Sequence, residues 1–92
     1  MKKQLVQFNI PGMTVKQYDQ AWEELRKAGQ GNPSGLRHHV GAPQGDHWVV
    51  IDVWDSLEAF HEYGKTLMPI LSKLGIAQGQ PVITPVHFEY AA

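Results

Sequence analysis

The sequence contains no cysteine, almost no net charge and no long apolar run, and each of these absences removes a class of function. Without cysteine, the 92-residue chain cannot form disulfides, thiolate zinc sites, iron–sulfur clusters or a thiol nucleophile. Its 8 Lys and Arg residues are matched by 9 Asp and Glu, so it lacks the basic face that neutralises nucleic-acid phosphates. No segment approaches the ~20 apolar residues of a membrane span. We therefore expect a soluble, cytoplasmic protein that binds neither nucleic acid nor membrane.

The composition is that of a folded globule, since 42% of the residues are hydrophobic and Trp, Tyr and Phe occur three times each. Residues 1–92 have the length of a single domain. A core of this size is thin, and small folds usually support it with disulfides, a metal or a partner chain. Because disulfides are excluded, the core can be supported only by a partner chain or by a metal that histidine and carboxylate side chains hold.

Hydrophobic periodicity predicts that the first half of the chain folds as strand, helix and two strands. Apolar residues alternate from Lys3 to Ile10, which is typical of a strand. Thr14 and Gln17 have the spacing of a capping box, which predicts a helix that ends at Gly29. Alternation then predicts strands over 36–40 and 47–54, joined by a turn over 41–46.

The second half of the chain predicts a helix and a last strand. Asp55-Ser56 supplies an N-cap for the helix. Pro69 would break a helix interior, so we expect a break near 64–66 and a short second segment that ends at Gly75. Alternating apolar residues predict the final strand from Val82 to Tyr90.

The order β-α-β-β-α-β predicts an α+β ferredoxin-like fold, a four-stranded antiparallel sheet with two helices on one face. The third predicted strand is apolar on both sides, with Trp48, Val50 and Trp54 on one and Val49, Ile51 and Val53 on the other. Two helices cover one face of the sheet, so the other face needs a second cover. A second copy of the chain can provide it, and the sequence therefore predicts a homodimer.

Several short segments share their order and spacing with one known group of proteins. They are Pro11-Gly12-Met13-Thr14 followed by Tyr18, Gly35-Leu36 followed by His39-Val40, the run Trp48–Ser56 leading into Ala59-Phe60, Leu67-Met68-Pro69, and Pro85-Val86-His87. Together they span nearly the whole chain and resemble the dimeric α/β-barrel proteins of the antibiotic-biosynthesis-monooxygenase-like group. The segment from Val53 to Phe60 is the most specific, because it marks the strand-to-helix corner of that group.

The resemblance implies a ligand cavity between the sheet and the helices. Enzymes of the group are cofactor-free oxygenases of polycyclic phenols or heme-degrading oxygenases. In the heme-degrading branch, an Asn on the first strand, a Trp ending the third strand and a His on the next helix surround the heme. Asn9 and Trp54 match the first two, whereas residues 69–72, where the His would fall, contain none. The sequence therefore favours a protein without a cofactor.

Five residues are predicted to form the site. His61 lies on the predicted apolar face of the second helix and is the candidate base, because burial keeps a histidine neutral. Asn9 is the candidate group that orients a substrate oxygen, although a strand-end Asn also bonds to its own turn. Trp54, His39 and Phe60 are predicted to bind the substrate, with core packing as the alternative for Trp54 and a hydrogen-bonded dimer seam for His39.

A metal site and an RNA-recognition domain are the two alternatives to this prediction. A metal site is disfavoured because His38 and His39 point to opposite faces of a strand, and convergence would require His39, His87 and Asp52 or Glu89 from separate strands. RNA-recognition domains share the strand order, yet their Lys/Arg-Gly-aromatic signature is absent from the third strand.

The function predicted from the sequence is a small-molecule-binding dimer of the monooxygenase-like type. It would act as a cofactor-independent monooxygenase on a small aromatic or phenolic compound. The alternative is a non-catalytic ligand-binding or structural homodimer.

Overall fold

The computed structural model describes residues 2–77 and 79–92, which fold in the order β-α-β-β-α-β. The elements are β1 (Gln4–Pro11), α1 (Val15–Lys27), β2 (Leu36–Gln44), β3 (His47–Trp54), α2 (Leu57–Lys73) and β4 (Val82–Pro85). The four strands form one antiparallel sheet in the order β2-β3-β1-β4. This is the ferredoxin-like arrangement, so the predicted fold class is confirmed.

Both helices begin where the capping residues predict. The Thr14 hydroxyl accepts from the Gln17 backbone N–H at 3.1 Å, and the Gln17 side chain accepts from the Thr14 N–H at 3.1 Å. At the start of α2, the Ser56 hydroxyl accepts from the Ala59 N–H at 3.1 Å. These bonds satisfy backbone donors that have no partner inside a helix.

The predicted break in the second helix is wrong, because α2 runs without interruption through Pro69. Proline removes one helical hydrogen bond and strains the preceding turn. Phe60, Tyr63 and Leu71 bury one face of the helix against the sheet. This packing stabilises the helix through the proline, as tertiary contacts commonly do.

The second strand is longer than predicted and includes most of the expected turn. β2 pairs with β3 as far as Gln44, so the connection shrinks to Gly45 and Asp46. Pro43 is tolerated because β2 lies at the sheet edge, where one missing backbone donor breaks no ladder bond. A bulge between Leu36 and His38 also interrupts the predicted alternation near the start of the strand.

The last strand is shorter than predicted and ends at Pro85 rather than Tyr90. Pro85 lies opposite Gln4, the first residue of β1, so little partner strand remains for the residues that follow. The tail is held instead by the Val86 N–H, which donates to the Lys3 carbonyl at 2.9 Å. Farther on, Glu89 pairs with Lys3 at 2.8 Å and with His38 at 2.7 Å.

The sheet has one covered face and one open face. Trp54 and Val6 are fully buried under the helices, together with Leu25 of α1. The open face carries apolar side chains in contact with solvent, and Val40, Ile51 and Val82 are 60%, 37% and 59% exposed. The third strand is thus apolar on both faces. Within the described ranges, neither helix has the length and apolar character needed to cross a membrane.

Candidate functional site

A cleft of about 830 Å³ lies between α2 and the side of the sheet formed by β1 and β4. Its walls are mostly apolar, and the residues that form them include Phe8, Ile10, Phe60, Leu67, Leu71 and Ile83. Ile83 faces the helices because it lies opposite Val6 of β1. An apolar cleft of this volume has the size of a small-molecule site.

Gly64 explains why the space beside α2 stays open. A Cβ atom at this position would meet nothing within 4 Å, so no side chain fills the middle of the cleft. Phe60 and Leu67 lie about one turn to either side on the same helix face, and both line the cleft. A glycine inside a helix costs about 0.5–1 kcal/mol relative to alanine, and here it leaves room for a ligand.

Polar side chains lie at the mouth of the cleft. They are His61 and Lys65 on α2, and Gln80 on the loop before β4; all three are exposed. The His61 ring lies 5.7 Å from the Phe60 ring, and Lys65 pairs with Glu62 at 2.9 Å. The mouth can therefore hydrogen-bond a polar substituent while the walls hold an apolar body.

The cleft adjoins a small chamber of about 60 Å³, whose walls are mostly apolar. The two spaces share the walls Phe8, Ile10, Leu67 and Leu71. The chamber is also lined by Tyr18, His39, Asp52 and Tyr63. It has room for a hydroxyl group or for about two water molecules.

Tyr18, His39 and Asp52 are joined by two short hydrogen bonds. His39 and Asp52 lie directly opposite each other on β2 and β3, and His39 Nδ1 is 2.5 Å from Asp52 Oδ1. His39 Nε2 is 2.6 Å from the Tyr18 hydroxyl on α1. A carboxylate only accepts, so we assign the proton of His39 to Nδ1, and Nε2 then accepts from the Tyr18 hydroxyl.

The surroundings keep this group of residues in place. Asp52 is 4% exposed, and its Oδ2 accepts from Trp54 Nε1 at 3.3 Å. The ring of Tyr18 stacks on Trp48 with centroids 4.7 Å apart. The edge of Trp22 meets the His39 ring at 4.9 Å. Tyr18, His39 and Asp52 are therefore each held in place by a tryptophan side chain.

Burial keeps the two tyrosines of the chamber neutral. Desolvation raises the pKa of Tyr18; a hydrogen bond from the Trp22 indole N–H opposes this effect, and the nearby Asp52 charge adds to it. Desolvation also raises the pKa of Tyr63 far above its usual range, with a smaller contribution from Asp52. Both side chains thus present hydroxyl groups, which can donate and accept, rather than phenolates.

Gly41 of β2 makes room for the Tyr18 side chain. A Cβ atom at position 41 would lie 2.5 Å from the Tyr18 hydroxyl oxygen and 2.7 Å from two ring carbons. The tyrosine therefore rests directly on the β2 backbone. This close approach brings the hydroxyl beside His39, two residues away on the same face.

The five predicted site residues are only partly brought together. Phe60 lines the cleft, and His39 lines the inner chamber. Trp54 is fully buried and contacts the chamber through Asp52. His61 lies at the mouth of the cleft. Asn9 is exposed and lies opposite Val49 on the open face, away from the cleft.

The expectation that His61 points away from solvent is wrong. The buried residues of α2 are Phe60, Tyr63 and Leu71, a stripe that leaves position 61 at its edge. Leu57, about one turn before His61 on the same side of α2, is 39% exposed. The apolar face was predicted too wide, because it included His61, which lies beside the buried residues and not among them.

Tyr18 entered the sequence prediction only through the resemblance, and Asp52 only as a possible metal ligand. One signal was available for Asp52, which has the same parity as Trp48, Val50 and Trp54 in an apolar strand. A carboxylate on a buried face requires a partner, and His39 is that partner. Nothing in the sequence indicated that Tyr18 would reach the same point.

The two histidines of β2 have separate partners. His38 pairs with Glu89, whereas His39 pairs with Asp52. Among residues 2–77 and 79–92, no three metal-ligating side chains come together.

No protein-family model and no curated protein matches this chain. Solved structures do match it. A Chloroflexus aurantiacus J-10-fl protein provisionally named an antibiotic biosynthesis monooxygenase has 14% identity and a TM-score of 0.67, with 97% of each chain covered. SnoaB, a cofactor-independent oxygenase from Streptomyces nogalater, has 13% identity and a TM-score of 0.67, with 97% of each chain covered. Rv0793 from Mycobacterium tuberculosis has 11% identity and a TM-score of 0.64, with 98% of each chain covered.

At these identities the similarity establishes the fold. The chain shares the fold of antibiotic-biosynthesis-monooxygenase-like proteins, and the predicted resemblance is confirmed at that level. The residues of the cleft, and not the shared fold, must carry any argument about function.

Proposed function

We propose that the chain binds a small aromatic or phenolic molecule in the cleft and oxidises it as a cofactor-independent monooxygenase. The observation that carries this proposal is the apolar cleft of about 830 Å³, which lies beside a chamber that holds the side chains of Tyr18, His39 and Asp52. Apolar walls hold an aromatic body, and the chamber receives its hydroxyl group. The fold shared with SnoaB, itself a cofactor-independent oxygenase, supports the same activity.

The chemistry requires little from the protein beyond proton transfer and charge stabilisation. Removal of the hydroxyl proton converts a phenol into an electron-rich phenolate, which reacts directly with oxygen. One atom of the O2 molecule bonds to a ring carbon and the other leaves as water, so a phenol is converted into a quinone. A water-excluding cleft with fixed hydrogen-bond donors favours such a step.

The predicted site residues take different places in this proposal. Phe60 forms a wall for the aromatic body, His61 hydrogen-bonds the ligand at the mouth, and His39 acts at the inner end. The roles of Asn9 and Trp54 rest on the resemblance alone, because neither lines the cleft.

The proposed molecule is a homodimer that closes the open face of the sheet. Val40, Ile51 and Val82 are large apolar residues on this face, and each is more than one-third exposed. A second copy that covers these residues removes their apolar surface from water, and each Å² of apolar surface buried stabilises the dimer by about 25 cal/mol.

Oxygen uptake tests the proposed activity. A panel of phenols and quinols, including 1-naphthol, is incubated with the protein in an oxygen electrode cell, and quinone formation is followed by absorbance. Gly64→Leu fills the cleft and is expected to abolish turnover and 1-naphthol binding. Ser72→Leu adds the same side chain at an exposed position of α2 outside the cleft and is expected to change neither.

The outcomes separate the two predicted functions. Uptake that Gly64→Leu abolishes and Ser72→Leu preserves supports the monooxygenase. Saturable binding without oxygen uptake across the panel supports the alternative, a non-catalytic ligand-binding dimer. If Gly64→Leu leaves both binding and uptake unchanged, the cleft is not the site.

A further inference from the structure

We propose that Tyr18, His39 and Asp52 form a proton relay that takes the hydroxyl proton of a phenolic ligand bound in the cleft. This inference rests on the proposed function and assigns the proton acceptor to the inner chamber instead of to His61. Tyr18 would be the catalytic residue that touches the ligand. His39 and Asp52 would act through it.

The hydrogen bonds run in one direction along the three residues. The Tyr18 hydroxyl donates to His39 Nε2 at 2.6 Å, and His39 Nδ1–H donates to Asp52 Oδ1 at 2.5 Å. The Tyr18 oxygen also accepts from the Trp22 indole N–H, which leaves one lone pair to accept a hydrogen bond from a ligand. This is the arrangement in which a carboxylate orients a histidine so that the histidine removes a proton from a hydroxyl group.

Tyr18 lies in the chamber next to the cleft. Tyr18 lines the chamber, and the chamber shares Phe8 and Leu67 with the cleft. A ligand in the cleft can place its hydroxyl group, or one bridging water, in a space of this size. His39 has both ring nitrogens occupied, so a ligand reaches it through Tyr18.

The transfer is balanced without any further reactant. The ligand O–H bond breaks as its proton binds the Tyr18 oxygen, and the original Tyr18 proton moves to His39 Nε2. The ligand becomes a phenolate, Tyr18 stays neutral and His39 becomes an imidazolium paired with the Asp52 carboxylate. Because burial raises the pKa of Tyr18, a neutral tyrosine that passes the proton on is favoured over a stable tyrosinate.

The cost of burying these groups argues against a purely structural role. Asp52 is 4% exposed and the His39 side chain 21% exposed, and Trp22, Trp48 and Trp54 surround the group. Apolar residues of the same volume commonly stabilise such a position as well as a buried ionic pair does.

The titratable and charged groups facing His39 are Tyr18 of α1 and Asp52 of β3; Tyr63 of α2 lines the same chamber.

The probe for this relay is 4-nitrophenol, whose phenolate absorbs at a longer wavelength than the neutral phenol. Ionisation of the bound probe is therefore read without turnover. In the wild type, we expect binding to favour the phenolate about tenfold, a shift of about one unit in the probe's pKa. Tyr18→Phe keeps the ring on Trp48 and Gly41 but removes the oxygen, so the shift is expected to disappear while the affinity for the neutral probe changes less than about threefold.

Two further variants separate relay from packing. Asp52→Asn retains an acceptor for His39 Nδ1–H but removes the negative charge, so the shift is expected to shrink in a correctly folded protein. Tyr90→Phe removes a hydroxyl group from a side chain that is 79% exposed, and it is expected to match the wild type.

The relay is refuted if Tyr18→Phe binds the probe and ionises it as the wild type does. It is also refuted if His61→Gln, and not Tyr18→Phe, removes the shift, since the proton acceptor then lies at the cleft mouth. Failure of every variant and the wild type to bind the probe would instead overturn the phenol-binding cleft.

A measurement without ligand tests the arrangement independently. Nitrogen-15 NMR of His39 is expected to show a protonated Nδ1 and an unprotonated Nε2 at neutral pH, with the Nε2 signal shifting in Tyr18→Phe. A proton on Nε2 in the wild type would refute the direction of the relay, whatever the probe shows.

Discussion

Replacing Gly41 with alanine perturbs the candidate site through a single methyl group. The new Cβ would lie 2.5 Å from the Tyr18 hydroxyl oxygen and 2.7 Å from two ring carbons, whereas ordinary contacts are 3.4–4 Å. The tyrosine must therefore retreat by about 1 Å. It cannot do so freely, because its ring stacks on Trp48 and its hydroxyl is bonded to His39.

The expected loss of stability has two parts. Overpacking of a filled core costs about 1–3 kcal/mol. The 2.6 Å hydrogen bond to His39 is broken when the oxygen moves away, which costs about 1 kcal/mol. Together we expect Gly41→Ala to lower the free energy of unfolding by about 2–4 kcal/mol.

Urea denaturation followed by tryptophan fluorescence measures this loss, because Trp48 contacts Tyr18 directly. Gly64→Ala is the matched control. Its Cβ meets nothing within 4 Å and lies inside α2, so it is expected to stabilise the protein by about 0.5–1 kcal/mol. The same change from glycine to alanine thus has opposite signs at the two positions.

A loss below about 0.5 kcal/mol for Gly41→Ala would refute the close packing of Tyr18 on β2. Repeating Gly41→Ala in a Tyr18→Leu background identifies the clash. If the loss is as large there as in the wild type, the strain arises elsewhere in the strand and not from the tyrosine.

Three further predictions address the core, the chamber and the open face. Trp54→Ala is expected to cost about 3–5 kcal/mol in urea denaturation, because the ring is fully buried; a cost below about 1 kcal/mol would contradict a core role. Burial raises the pKa of Tyr63, so the unfolded chain loses its proton first and stability falls as the pH rises above 10. In Tyr63→Phe this alkaline fall should be smaller in urea titrations, and an unchanged fall would exclude the tyrosine as its cause. Light scattering should give about twice 10.3 kDa for the wild type and the single-chain mass for Ile51→Lys, and a monomeric wild type would contradict the homodimer.

Local patterns predicted the elements and their order. The capping box at Thr14 and the cap at Ser56 depend on residues three apart in the chain, and both formed as expected. The predicted break near 64–66 and the predicted strand beyond Pro85 were both wrong, because contacts between distant segments decided them. Proline's local preference was overridden by packing in α2, and β4 ended because its partner strand begins at Gln4.

The predicted site residues lie at different places relative to the cleft. Phe60 and His39 line the cleft or its chamber, whereas Asn9 lies on the opposite face of the sheet. His61 reached the cleft but at its exposed mouth. Periodicity assigns a residue to a side of its element, yet it does not give the width of the buried stripe or the depth at which a side chain lies.

The sequence by itself determined the strand and helix order, the helix starts, the two-faced third strand and the resemblance to a known fold. These depend on the spacing of apolar and capping residues along a few turns of chain. Only the tertiary structure decided that Tyr18, His39 and Asp52 meet, since they come from α1, β2 and β3. Strand register places His39 opposite Asp52, and a glycine at position 41 admits the tyrosine beside them. Such contacts arise from the packing of distant segments, which no local pattern specifies.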